Sequence, residues 1–229
     1  MKFITFSTIN KHTELGKPLP MKKLIPEWYR KAESHFIDRR SGDKAVGLKG
    51  CIPYMDVMIS GYAIRTPVDI YISKDKAGNL KIGWNGPGDS AEFVGERPME
   101  LGYTMPRPAG HLANHLYWKG EWGYKAPKGY SILVSHPYNR FELPFTTTAG
   151  LIDSDKFWAN GNMPFFLKED FVGTIPAGTP IAQLTPVKRE SWKAIYDQSK
   201  LDEYERQGNE VRKPGRSYKK ALWVRKDFS

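Results

Sequence analysis

Residues 171–184 read Phe171-Val172-Gly173-Thr174-Ile175-Pro176-Ala177-Gly178-Thr179-Pro180-Ile181-Ala182-Gln183-Leu184. Two short runs of apolar and β-branched residues flank the Pro-Ala-Gly punctuation, so the pattern predicts strand, turn, strand. Pro176 pre-sets the backbone for a turn, and Gly178 supplies the open φ that the turn needs. Ile181 and Leu184 are apolar strand residues. Gln183 stands between them, and its amide needs hydrogen-bond partners once buried.

The same pattern repeats outward. Strands are expected at residues 130–134, 145–148, 151–152, 163–167, 170–175 and 181–186. Upstream, residues 62–72 read as one strand, Gly78-Asn79 marks a hairpin turn over residues 75–79, and residues 80–84 return. Weaker strand patterns lie at residues 2–8 and 117–122. Residues 26–32 read as a short helix with Pro26 at its first position, packing Trp28 and Tyr29 on the body. Residues 36–49 and 85–98 read as loops, and residues 51–58 as a helix or a turn. Regular short strands between turns predict a mainly β chain, a sandwich or a distorted barrel.

Composition agrees. Of 229 residues, 40% are hydrophobic and 26% charged, as in an ordinary globular chain. That length suits one domain with additions. The expected organisation is an N-terminal extension with β-hairpin elements over residues 1–125, packed on the same core, and a β core over 126–189. Residues 190–229 form a polar, helix-compatible and basic tail. The formal net charge is +10. This implies a soluble surface with a basic tail, or a basic face for nucleotide or nucleic acid. Tyr218, Trp223 and Phe228 interleave the basic residues of the tail, a pattern that can stack bases. Cys51 is the one cysteine, which excludes an intramolecular disulfide and a Cys-based zinc cluster. A small core position in a reducing compartment is expected for it. Residues 1–10 lack the apolar stretch of a secretory leader, and no 18-residue apolar run is present. A cytoplasmic or virion location, without secretion or membrane insertion, is therefore expected.

Three motifs in order resemble the dUTPase and dCTP deaminase family. Ala149-Gly150-Leu151-Ile152-Asp153-Ser154-Asp155 is similar to that family's Gly-hydrophobic-Ile-Asp stretch. The Gly178-to-Leu184 run resembles its closing strand, Gly-x-x-Ile-Ala-Gln-Leu. Pro127-Lys128-Gly129-Tyr130 resembles the approach to its phosphate-binding loop. The resemblance covers residues 126–187 and implies the distorted barrel called a β-clip, often trimeric with sites shared between subunits. It also implies that Asp153 orients a sugar and an attacking water, the work of a carboxylate base. The family's uracil-stacking tyrosine falls at Lys156, with Phe157 and Trp158 beside it. Its Arg-Ser phosphate loop falls at Ser135-His136-Pro137-Tyr138-Asn139-Arg140. Pro137 offers neither a backbone donor nor a hydroxyl there. Arg140 is able to grip a phosphate with two N–H groups, with His136 beside it. No early Asp motif for a magnesium site is found.

The remaining chemistry is sparse. His111 and His115 would share a face if helical, but Leu112, Ala113 and Asn114 between them do not make a His-Glu-x-x-His zinc motif. No metal ligand set is expected, and no serine or cysteine nucleophile motif or Walker loop is present. Four further segments resemble an uncharacterised family of tailed phages and some bacteria: residues 25–28, 49–53, 135–140 and 188–192.

Two function classes follow. The first is a non-catalytic, phage-type β-clip protein that self-associates and acts in assembly or binding. It would be a virion structural or accessory component with no cofactor. The second is a divergent nucleotide-binding protein, or a nucleotide pyrophosphatase or deaminase. There Asp153 would be the base, His136 and Arg140 the phosphate ligands, Phe157 or Trp158 the stacking ring, and Mg2+ the cofactor.

Overall fold

The computed structural model describes residues 2–8, 14–86, 92–159, 161–212 and 217–228. In chain order its strands are β1 Thr5–Ser7, β2 Leu19–Pro20, β3 His35–Ile37, β4 Lys44–Val46, β5 Tyr62–Arg65, β6 Ile70–Lys74, β7 Leu80–Trp84 and β8 Val94–Glu96. There follow β9 Leu116–Trp118, β10 Gly123–Lys125, β11 Tyr130–Ser135, β12 Phe145–Thr147, β13 Gly150–Ile152, β14 Met163–Leu167, β15 Gly173–Ile175 and β16 Pro180–Lys188. The helices are α1 Glu27–Lys31, α2 Ile52–Ile59, α3 Met99–Thr104, α4 Leu201–Arg212 and α5 Tyr218–Ala221.

The fold is mainly β and antiparallel, but among the described residues no closed barrel forms. A five-stranded sheet has the order β13-β11-β16-β5-β2, and a four-stranded sheet the order β12-β14-β9-β8. A three-stranded sheet, β15-β6-β7, and the pairs β1-β10 and β3-β4 complete the set. One apolar core joins the larger sheets. Ile132 and Leu184 meet Trp118, Phe145 and Phe165, with Ile70, Ile72 and Ile175 from the three-stranded sheet. The Trp118 ring stacks on Phe165 at 3.9 Å between centroids, and Phe145 meets it edge-on at 4.9 Å. Such ring pairs add about 1 kcal/mol each to their burial.

β16 organises this arrangement. It pairs with β11 on one side and β5 on the other, so residues 62–65 lie directly on the closing strand. Gln183 is wholly buried within it. Its Oε1 accepts the Tyr138 N–H at 3.0 Å, and its Nε2 donates to the carbonyls of Val57 at 2.9 Å and Ser60 at 2.6 Å. Gly61 follows at φ +67°, and a Cβ there would collide with the Leu184 carbonyl oxygen.

Several expectations change. Residues 62–72 form two strands, because Thr66 and Asp69 turn away to hold the 176–179 turn. The Thr66 hydroxyl donates to Pro176 O at 2.8 Å, and Asp69 accepts the Ala177 N–H at 2.7 Å. The predicted loop at 36–49 contains the β3-β4 hairpin, whose turn is closed by Asp38 accepting the Arg40 N–H at 2.8 Å. The predicted loop at 85–98 contains β8, and its residues 87–91 lie outside the described residues. Cys51 is exposed rather than in the core, because α2 buries Ile52 and Met58 instead. Pro26 caps α1 from outside the helix; Tyr29 is buried, while Trp28 remains exposed. The tail helix begins only at Leu201, after residues 190–197 without regular structure.

Gln183→Ala would take this partner from the Tyr138 N–H and the Ser60 carbonyl, while the Val57 carbonyl keeps the Ser60 hydroxyl at 3.0 Å, and is expected to cost roughly 1–3 kcal/mol in urea denaturation. Gly61→Ala is expected to cost roughly 2–3 kcal/mol through its clash and strained φ. Gly78→Ala, at φ +84° with nothing within 4 Å, is expected to cost about 1 kcal/mol. Equal losses at Gly61 and Gly78 would contradict the packing described.

Candidate functional site

β13 ends at Ile152, and the chain turns at Asp153. The Asp153 carbonyl accepts the N–H groups of Lys156 at 2.9 Å and Phe157 at 3.0 Å. Ser154 is fully buried and donates its hydroxyl to the Tyr124 carbonyl, pinning the turn to β10. The Asp153 side chain is 55% exposed. Its Oδ1 accepts the Ser131 hydroxyl at 2.7 Å and pairs with Arg189 Nη1 at 3.2 Å.

Arg189 closes the site. It follows β16, and its guanidinium spans Asp153 and Asp155, with Nη2 donating to Asp155 Oδ2 at 2.5 Å. Its Nη1 also donates to the Tyr130 carbonyl at 3.1 Å, and its backbone N–H to Gly129 O at 2.9 Å. Asp155 is nearly buried and accepts the Gly129 N–H at 2.8 Å. Hydrogen bonding from Arg189, and then from Gly129, pulls the Asp155 carboxyl down to about 2. The Asp155 hydrogen bond in turn raises the Arg189 guanidinium. The planar fork between two carboxylates is the geometry that arginine favours.

The other predicted site residues lie apart from this clamp. His136 Nδ1 accepts the Thr147 N–H at 3.3 Å, so Nε2 carries the proton that faces Arg140 O at 3.2 Å. Burial lowers its pKa, which favours this neutral form. Arg140 is mostly covered, donates Nη1 to Leu24 O at 3.2 Å and bonds Glu142 through Nε. These two residues brace the 136–142 loop, whose Asn139 sits at φ 60°. Phe157 and Trp158 are exposed on the surface, with the Lys125 ammonium 5.6 Å from the Trp158 ring centre. An open cleft of about 270 Å³ lies between β13 and β14, lined by Tyr124, Val134, Gly150, Ile152, Met163 and Pro164 among others. None of Asp153, His136, Arg140, Phe157 or Trp158 lines it.

The histidine pair lies outside any helix. His111 bonds Ala109 O and the Thr146 hydroxyl, each at 3.0 Å. His115 is buried and stacks on Phe166 at 5.5 Å, and among the described residues neither of its ring nitrogens has a hydrogen-bond partner. Its pKa is lowered by burial, then by Arg97. Among the described residues no cluster of three His, Cys, Asp or Glu is placed to hold a metal.

Sequence reasoning missed the clamp. Asp155, Gly129 and Arg189 stood inside the quoted motifs, but only the β11-β16 register brings them together, with Tyr130 opposite Lys188 and Ser131 opposite Val187. Comparison of the chain with known protein families finds no match, and no curated protein matches its sequence.

Two pH windows follow. The folded Asp155 pKa is depressed, so its contribution is present above the unfolded value of about 4 and is lost as pH falls toward the folded one. Arg189→Ala should flatten the fall in denaturation midpoint over that window; an unchanged slope would remove the clamp from the account. His115 is also depressed, so its neutral state favours the fold until pH falls below about 6.5. His115→Phe should therefore lessen the loss of stability just below that pH, read from melting curves. An identical pH profile would show that His115 is solvated.

Proposed function

We propose that this chain is a non-catalytic, self-associating protein of β-clip-like architecture that acts in binding or assembly, as a structural or accessory component of a phage particle. The observation that carries the reading is the Arg189 clamp. The aspartate that the dUTPase resemblance assigns to catalysis is held by the chain's own arginine and by Ser131. Arg140, the nearest phosphate ligand in sequence, is committed to Leu24 and Glu142. A catalytic base needs a water within reach and a substrate held by neighbouring groups, and these residues are instead spent on holding the chain.

A second reading, a nucleotide-binding protein without turnover, draws support from the cleft beside Gly150 and Ile152. A largely apolar cleft is the default place for a small-molecule ligand.

A thermal-shift screen with nucleoside mono-, di- and triphosphates, with and without Mg2+, separates the readings, together with a phosphate-release assay. The non-catalytic reading expects no turnover and no shift. A nucleotide at 100 times its Kd would stabilise the fold by about 2.7 kcal/mol and raise the midpoint visibly. A shift without turnover would favour the second reading. Turnover abolished by Asp153→Ala would overturn both.

A further inference from the structure

We propose that the surface made by β1, β10 and the 153–158 turn is a docking face for single-stranded nucleic acid. Phe157 and Trp158 are its stacking platforms, and Lys125, Lys128 and Lys156 its phosphate contacts. The inference goes beyond the non-catalytic reading and does not depend on it.

The fold itself assembles this face. β10 pairs with β1 and sets Lys125 opposite Thr5. The Ala126 N–H donates to the Ser154 carbonyl at 3.3 Å, and the Gly129 N–H to Asp155 at 2.8 Å. The segment carrying Lys125 and Lys128 therefore runs along the turn carrying Lys156, Phe157 and Trp158. Lys2 extends the strip, with its ammonium bonded to the Tyr130 hydroxyl.

The charge here has one sign. Residues 2–8, 122–130 and 156–159 hold four lysines and no acid. Asp153 and Asp155, the carboxylates of the turn, are both paired with Arg189. Lys125, Lys128 and Lys156 are exposed, and no carboxylate among the described residues pairs with them.

Rings stand among these lysines. Phe157 is 61% exposed and Trp158 44%, and Phe3, two residues before Thr5, is 70% exposed. A polyanion with unpaired bases satisfies both features at once: its phosphates take the ammonium groups and its bases lie on the rings. A duplex keeps its bases stacked inside and offers the rings nothing. A bilayer suits the rings but not their neighbour. The Lys125 ammonium lies 5.6 Å from the centre of the Trp158 ring, and it would have to follow that ring toward hydrocarbon. A single nucleotide spans too little of the strip to use several lysines, so binding requires length.

The test is fluorescence anisotropy of a labelled oligothymidylate of about 20 nucleotides, longer than a typical single-strand site, titrated with the full chain. Three or four lysine contacts predict a slope of log K against log salt of about −2 to −3, so binding falls roughly 20- to 50-fold between about 50 and 200 mM salt. Trp158→Ala is expected to weaken binding roughly 5- to 150-fold. Lys125→Ala with Lys156→Ala should flatten the salt slope by about 1.4. Lys76→Ala with Lys81→Ala, on the β6-β7 hairpin, removes the same charge and should leave the slope unchanged. All these side chains are exposed or half-exposed, so melting midpoints should hold. No binding by tens of micromolar wild type at the lower salt, equal losses from the two lysine pairs, or unchanged affinity in the Trp158 variant would each overturn the inference. Displacement of the oligonucleotide by poly-glutamate of equal charge, or a preference for phosphatidylserine vesicles, would overturn it too. None of these results alters the turnover assay on which the non-catalytic reading stands or falls.

Discussion

The buried amide of Gln183 is the contact on which the rest of the structure depends. It lies in the central strand of the largest sheet and bonds two separate backbone segments: the loop at Tyr138, and the end of α2 at Val57 and Ser60 just before Gly61. A neutral amide presents two donors and an acceptor at fixed angles. In an apolar interior an unpaired member of that set costs more than a paired one contributes. The amide therefore tolerates one arrangement of its neighbours. With it in place β16 sits between β11 and β5, and its end delivers Arg189 to the aspartates of the β13 turn.

Much of the strand pattern was legible in the residues. The 75–79 turn forms as its Gly-Asn signal indicates, with Asp75 accepting the N–H groups of Ala77 and Asn79. β14 spans the residues its apolar run indicates. The break between β5 and β6 was not legible, because Thr66 and Asp69 are strand-compatible until the distant 176–179 turn claims their side chains. Cys51 misled for a related reason. Its apolar neighbours suggested a core, but helical geometry sends Ile52 and Met58 inward and leaves Cys51 at the helix start.

The site was half legible. The position of Asp153 at a strand end could be read from its motif. Its partner could not, because Arg189 reaches it through strand register rather than through nearby sequence. The same clamp joins chemistry to architecture. An arginine that neutralises two carboxylates is a poor neighbour for a reaction that needs a free base, and a good anchor for a chain leaving the body. The closing-strand signature needs no catalysis to account for it, since Gly178, Ile181, Gln183 and Leu184 are each explained by turn, core or hydrogen bond alone.

The most direct test of this account is a carbon-detected NMR titration of the aspartate carboxyls in the full chain, with and without a deoxynucleoside triphosphate. The clamp predicts that Asp155 titrates near 2 and that added nucleotide leaves both the Asp153 and Asp155 signals in place. An Asp155 carboxyl titrating at the ordinary value of about 4, with Asp153 moving on nucleotide addition, would show the site open to ligand and contradict the account.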